Sequence, residues 1–149
     1  MEPGDRVILE LTHEQAKIVE QAMELLFRLH IGQFNQIKYA LLSRRDERRD
    51  TNWQNIDMLL GILQNHFFPN LPPCESFNVN CCKECNTAYG VYQAIRYVNA
   101  WHQNPKGSIG VAFDPPIYTG VPIPKCYLVK EGETHEINGR DQKAAEDDH

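Results

Sequence analysis

The sequence lacks the long apolar runs and the short signatures that mark several large classes of protein. Its longest apolar stretches are a handful of residues, and the N-terminus carries no basic, apolar signal, so we expect neither a membrane-spanning helix nor a secretion signal. It contains no phosphate-binding or dinucleotide-binding glycine motif and no serine in a nucleophile elbow. None of its six histidines pairs at metalloprotease spacing. The sequence therefore predicts a cytosolic protein that is not an enzyme.

Length and charge predict one domain with a tail. The chain has 149 residues, 42% of them apolar and 23% charged, which is an ordinary globular composition. Residues 131–149 hold seven acidic and two basic side chains, and this difference accounts for the whole net charge of −5. We predict a single domain over residues 1–130 and an acidic, weakly ordered tail over 131–149. The neutral body, and the two acids inside the basic cluster at 44–49, argue against direct binding of nucleic acid.

Helical periodicity predicts three or four helices. A capping box of Thr12 and Gln15 begins the first helix, Gly32 ends it, and a second helix or bent continuation covers residues 33–45. A third helix begins at an N-cap on residue 51 and stops at the Phe-Phe-Pro of residues 67–69.

Thr87 is the predicted N-cap of a fourth helix over residues 88–103, after a long cysteine-rich loop at 70–86. Residues 6–11, 109–113 and 126–130 have the β-branched and apolar content of short strands. The predicted fold is therefore α+β, with the helices packed on a small antiparallel sheet.

Four cysteines cluster in the predicted loop, and the last two are separated by the two-residue gap that suits a tetrahedral zinc ion. A second such pair is missing, so free thiols in a reduced cytosol are the simpler interpretation, with zinc binding and a redox pair as alternatives. A cysteine nucleophile with His102 as its base also stays open. The candidate ligands of a structural zinc ion are Cys74, Cys81, Cys82 and Cys85.

A polar and aromatic face is predicted on the fourth helix, where tyrosine, arginine and asparagine recur three and four residues apart. An arginine beside aromatic rings can pair with a phosphate while the rings stack on a base, although the same residues also suit the rim of a core or a subunit interface. A lysine in the small-residue stretch 106–110 adds a further anion contact. The candidate ligand-binding residues are Tyr89, Tyr92, Arg96, Asn99, Trp101, His102 and Lys106.

Two blocks of the chain resemble a family of small accessory proteins encoded by tailed bacteriophages. The first is VYQAIRYVNAW at residues 91–101 with the turn and proline pattern of residues 104–116, and the second is LTxEQA at residues 11–16 with IGQF at residues 31–34. The cysteine-rich loop departs from the family pattern. The resemblance implies a phage origin and the cytoplasm of an infected bacterial host. By analogy, small oligomeric phage proteins without enzymatic activity often inhibit host defence, and some bind cyclic-nucleotide or ADP-ribose-type immune signals.

These observations predict an anti-defence protein that sequesters a small phosphorylated nucleotide signal of host immunity, as a homo-oligomer without a membrane partner. The alternative is a protein–protein inhibitor of a host defence or replication factor. That inhibitor would use the acidic tail, the cysteine-rich loop or the rigid, proline-rich segment 114–124.

Overall fold

A computed structural model describes residues 7–41, 52–72 and 75–129. Its α-helices are α1 (His13–His30), α2 (Gln36–Leu41), α3 (Trp53–Phe67) and α4 (Lys83–Gln103), and short 3-10 helices lie at Val79–Cys81 and Val111–Phe113. These described ranges contain no β-strand, so the predicted α+β fold is wrong and the architecture they form is all-α. No helix within them is long and apolar enough to cross a membrane. The predicted acidic tail and the basic cluster lie outside the described residues.

The segments predicted as strands lack the backbone partners that a sheet needs. Residues 7–10 are exposed and form no β-ladder with the rest of the described chain, and Val111–Phe113 is a 3-10 helix. In the segment 114–129, four prolines at positions 115, 116, 122 and 124 each remove a backbone N–H donor. Because a central strand needs those donors, the β-branched content of this segment did not produce a sheet.

The ends of α1 follow the sequence signals. Thr12 Oγ1 accepts a hydrogen bond from the Gln15 N–H at 3.2 Å, and Gln15 Oε1 accepts one from the Thr12 N–H at 2.8 Å, which confirms the capping box. Gly32 follows the last turn with a φ of +86°, as expected for a glycine that ends a helix. A Cβ atom at this position would collide with the side chain of Leu71.

Replacing Gly32 with alanine is expected to lower the free energy of unfolding by about 1–2 kcal/mol, because an L-residue is strained at positive φ. Gly61→Ala is the matched control, since Gly61 lies inside α3 with open space around its Cβ, and it is expected to stabilise by about 0.5–1 kcal/mol. Urea denaturation followed by circular dichroism measures both values. Effects of the same sign would contradict the conformation described for Gly32.

The core lies between α1 and α4, which cover one another along most of their lengths. Its buried residues are Phe27, Ile31, Cys85 and Ala88. α4 begins at Lys83, earlier than the Thr87 N-cap predicted, because the Cys82 Sγ caps it by accepting a hydrogen bond from the Cys85 N–H at 3.2 Å. The Thr87 hydroxyl instead donates to the Lys83 carbonyl at 2.9 Å inside the helix. The loop before α4 is therefore shorter than predicted. The N-cap residue is a cysteine, whereas N-cap preferences favour side chains that carry oxygen.

The proline-rich segment lies along the chain's own α4. Gln93, almost fully buried, accepts a hydrogen bond from the Ile117 N–H at 2.9 Å and donates one to the Ile117 carbonyl at 3.3 Å. Two helical turns earlier, Asn86 Nδ2 donates to the Thr119 carbonyl at 2.7 Å. Two amide side chains therefore supply the backbone partners that a neighbouring strand would otherwise provide.

One side of α3 packs against the segment around α2, and its other side is exposed. Asn52 caps it, the Lys38 ammonium pairs with Asp57 at 2.5 Å, and the rings of Phe34 and Phe67 stack with centroids 6.0 Å apart. On the opposite side an apolar face is about 60% exposed at its centre. The α3 apolar face consists of Met58, Leu59, Ile62 and Leu63.

Candidate functional site

The structure divides the predicted polar and aromatic face of α4 between the core and a groove. Tyr89 and Tyr92 pack against Phe27 of α1, with ring centroids 4.9 Å and 5.4 Å from it. Arg96 and Asn99 lie further along the same face and line a groove between α1 and α4. The tyrosine rings thus belong to the helix–helix contact, and the arginine and asparagine are the predicted residues that line this groove.

The other three predicted ligand residues lie elsewhere. The Trp101 ring packs edge-on against Phe113, with centroids 5.4 Å apart. The His102 ring lies 5.0 Å from His13, the first residue of α1. Lys106 is exposed in the turn that follows α4. None of the three lines the groove beside Arg96.

The groove has a volume of about 260 Å³ and a polar lining that comes from both helices. Residues three and four apart on a helix share one side, so polar residues at that spacing on α1 face those on α4. Two lining side chains are cationic and one is anionic, which gives the groove an excess of positive charge. The lining residues are Lys17, Glu20 and Gln21 of α1, Arg96, Asn99, Ala100 and Gln103 of α4, and Ala112.

Arg96 is oriented by the aromatic ring beneath it. Its guanidinium carbon lies 5.3 Å from the Tyr92 ring centroid, within the range of a cation–π contact. Its Nε is buried and makes no hydrogen bond to the described residues. Burial raises the pKa of Tyr92, and nearby Glu24 raises it further, while Arg96 opposes this shift. Among the described residues Arg96 has no ion-pair partner, so its positive charge stays available in a partly desolvated place, where an anion would be bound more strongly than in water.

Asn99 and Glu20 join the two helices across the floor of the groove. Asn99 is buried, and its Nδ2 donates a hydrogen bond to Glu20 Oε2 at 2.6 Å. This contact holds the carboxylate in one orientation. A carboxylate only accepts hydrogen bonds, so Glu20 suits a hydroxyl or amino group of a ligand whose phosphate lies near Arg96.

A second cavity, of about 380 Å³, lies between α4 and the proline-rich segment. Its lining is mostly apolar and includes one cation, so it lacks the converging polar groups that orient a phosphorylated ligand. Burial raises the pKa of the Cys126 thiol at its edge. The lining residues are Ala94, Tyr97, Val98, Pro116, Pro124, Lys125, Cys126 and Tyr127.

Three of the four predicted zinc ligands are described, and Cys74 lies outside the described residues. Cys85 is fully buried and its thiol donates to the Val79 carbonyl at 3.1 Å. Burial raises the pKa of Cys85 to about 12, which disfavours the thiolate that a metal requires. Within the described ranges, no three His, Cys, Asp or Glu side chains are grouped so that they could hold a metal ion. Zinc binding therefore stays a prediction.

Sequence reasoning missed the groove residues on α1 and the histidine nearest to the cysteines. Lys17, Glu20 and Gln21 sit at helical spacing on the polar side of α1, a signal that indicates a shared side but not what it faces. The Cys82 Sγ lies 3.6 Å from the Nδ1 of His30, whereas the predicted base His102 lies against His13. The two residues are far apart in sequence, so no local pattern could have paired them.

Comparisons of this chain with protein-family models, with curated proteins and with solved structures find no match in any of the three. The resemblance to a phage family therefore stays a prediction. Any function has to be argued from the geometry of the groove itself.

Proposed function

We propose that the protein is a phage anti-defence protein that binds a small phosphorylated nucleotide signal of host immunity and sequesters it without turnover. The observation that carries the proposal is Arg96, which is partly buried, has no ion-pair partner among the described residues and lines a groove that also holds Lys17. A planar guanidinium can donate two parallel hydrogen bonds to a phosphate, and a lysine adds a second positive charge. Phage origin and action in the host cytoplasm are the parts of the proposal that come from the resemblance.

Each remaining part of a nucleotide has a matching group in the groove. The Glu20 carboxylate, held by Asn99, can accept hydrogen bonds from ribose hydroxyls. The side-chain amides of Gln21 and Gln103 both donate and accept, which suits the polar edge of a base. Because Tyr92 is committed to the core, we expect base recognition by these amides and not by stacking on that ring.

The size of the groove suggests that a second subunit completes the site. Its volume of about 260 Å³ is at the lower limit for pockets that bind small molecules, which usually measure roughly 300–1,000 Å³. A homo-oligomer is also supported by the α3 apolar face, since a contiguous exposed apolar patch commonly marks a protein–protein contact. We therefore include a homo-oligomer, paired through α3, in the proposal.

Native mass spectrometry tests ligand and oligomer together. The full-length protein is measured alone, with a panel of cyclic dinucleotides, cyclic trinucleotides and ADP-ribose derivatives, and with a filtered extract of phage-infected cells. We expect a multimer that gains a discrete mass of several hundred daltons, released unchanged on denaturation. A released ligand with altered mass would indicate an enzyme, and a ligand-free protein in all samples would contradict sequestration.

A second candidate function, protein–protein inhibition, is favoured by the same α3 apolar face. Three surfaces were predicted for an inhibitor. The proline-rich segment is held by Asn86 and Gln93 of its own chain, and the acidic tail lies outside the described residues. The cysteine-rich loop exposes Cys81 and is the third. A monomer that retains a defined host protein in a pull-down, and loses it when glutamate replaces Leu59, would support this alternative.

A further inference from the structure

A second chemical site lies at the N-terminus of α4, where two cysteines and a histidine meet. The Cys82 Sγ is 3.6 Å from His30 Nδ1 and 4.0 Å from the Cys81 Sγ, and it accepts the Cys85 N–H at 3.2 Å. His30 is the last residue of α1, so the core contact between α1 and α4 holds the imidazole beside the thiol. Cys82 is partly exposed, whereas Cys85 is buried.

The other described cysteines lack this combination of groups. Cys85 is buried and bonded to the Val79 carbonyl, and Cys126 lies at the edge of the apolar cavity. Desolvation raises the pKa of the Cys126 thiol, which lowers the share of it that is thiolate. A thiol that faces both the N-terminus of a 21-residue helix and an imidazole is placed as reactive cysteines are.

We propose that Cys82 is a redox modification site that forms a mixed disulfide with small disulfides such as oxidised glutathione. His30 takes the thiol proton, and the Cys82 sulfur attacks one sulfur of oxidised glutathione. The disulfide of glutathione breaks, the Cys82–glutathione disulfide forms, and the departing glutathione thiolate takes up the proton. This modification is independent of what the groove binds.

Neither neighbouring cysteine is positioned to displace glutathione from the mixed disulfide. Cys81 is adjacent in sequence, and Cα atoms about 3.8 Å apart are closer than the usual disulfide range of about 4.4–6.8 Å. Cys85 is buried with its thiol directed at Val79. Neither is well placed to attack the mixed disulfide and release the second glutathione.

The test is site-resolved modification of the folded, full-length protein. The reduced protein is incubated with oxidised glutathione, quenched at intervals by acid, and analysed by intact and peptide mass spectrometry. We expect one glutathione per chain, on Cys82, formed at least about ten times faster than on Cys126. His30→Asn is expected to slow this reaction about tenfold, since the imidazole that accepts the proton is lost.

Two controls separate this chemistry from unfolding and from metal binding. His102→Asn removes a histidine that lies away from the cysteines and should leave the rate unchanged, and circular dichroism verifies the fold of each variant. Faster modification of Cys81 or Cys126, or an unchanged rate in His30→Asn, would overturn the proposal. So would protection of Cys81, Cys82 and Cys85 together with one zinc ion per chain in the native mass spectrum.

Discussion

Replacing Arg96 with methionine is expected to weaken binding of the nucleotide that native mass spectrometry identifies by at least about 100-fold, with the fold retained. Two charge-assisted hydrogen bonds contribute roughly 1.5–3 kcal/mol each, and about 1.4 kcal/mol corresponds to a tenfold change in affinity. Methionine keeps an unbranched stem that can still pack over Tyr92, so the variant removes the donors more than the packing. Isothermal titration calorimetry measures the affinity, and circular dichroism measures the fold.

Arg28→Met is the matched control for this prediction. Arg28 also lies over an aromatic ring of the core, 4.9 Å from the Phe27 centroid, but its guanidinium is engaged by Glu24 and Gln33 and does not line the groove. The Arg28→Met variant loses the same charge but no donor to the groove, so its ligand affinity should stay within about tenfold of the unchanged protein. Equal affinities of Arg96→Met and the unchanged protein would contradict the proposed site.

Replacing both Leu59 and Ile62 with glutamate is expected to convert the proposed homo-oligomer into monomers. Each side chain is 60% exposed on the α3 apolar face, so the charges are hydrated in a monomer. In a packed interface they would be buried without partners, at a cost of several kcal/mol per charge. Size-exclusion chromatography with light scattering, over a range of protein concentrations, measures the mass.

Gln54→Glu provides the control on the same helix, because Gln54 is exposed, lies at neither three- nor four-residue spacing from Leu59 or Ile62, and gains the same charge. It should leave the oligomer intact. A monomeric unchanged protein, or a double variant that keeps the oligomer mass, would contradict pairing through α3. If the groove is completed by a second subunit, the monomeric double variant should also bind the nucleotide more weakly.

Local features of the sequence predicted local structure well. The Thr12 capping box and Gly32 depend on contacts within a few residues, and both occur as predicted. The fourth helix was predicted to begin at residue 88, but it begins at Lys83 because the thiol of Cys82 acts as its N-cap. The predicted sheet failed for a non-local reason, since the proline-rich segment has too few N–H donors for a ladder and is held by the Gln93 amide instead.

The sequence by itself determined the order of the helices, the spacing of the polar residues on α4 and the arginine at the centre of the proposed site. Only the tertiary structure decided which of those residues remain available to a ligand. Packing of α1 on α4 covers Tyr92 with Phe27 and brings Lys17 to the groove of Arg96 and His30 to Cys82. Helical spacing specifies which residues share a side, whereas the burial of apolar surface between distant segments selects what that side faces.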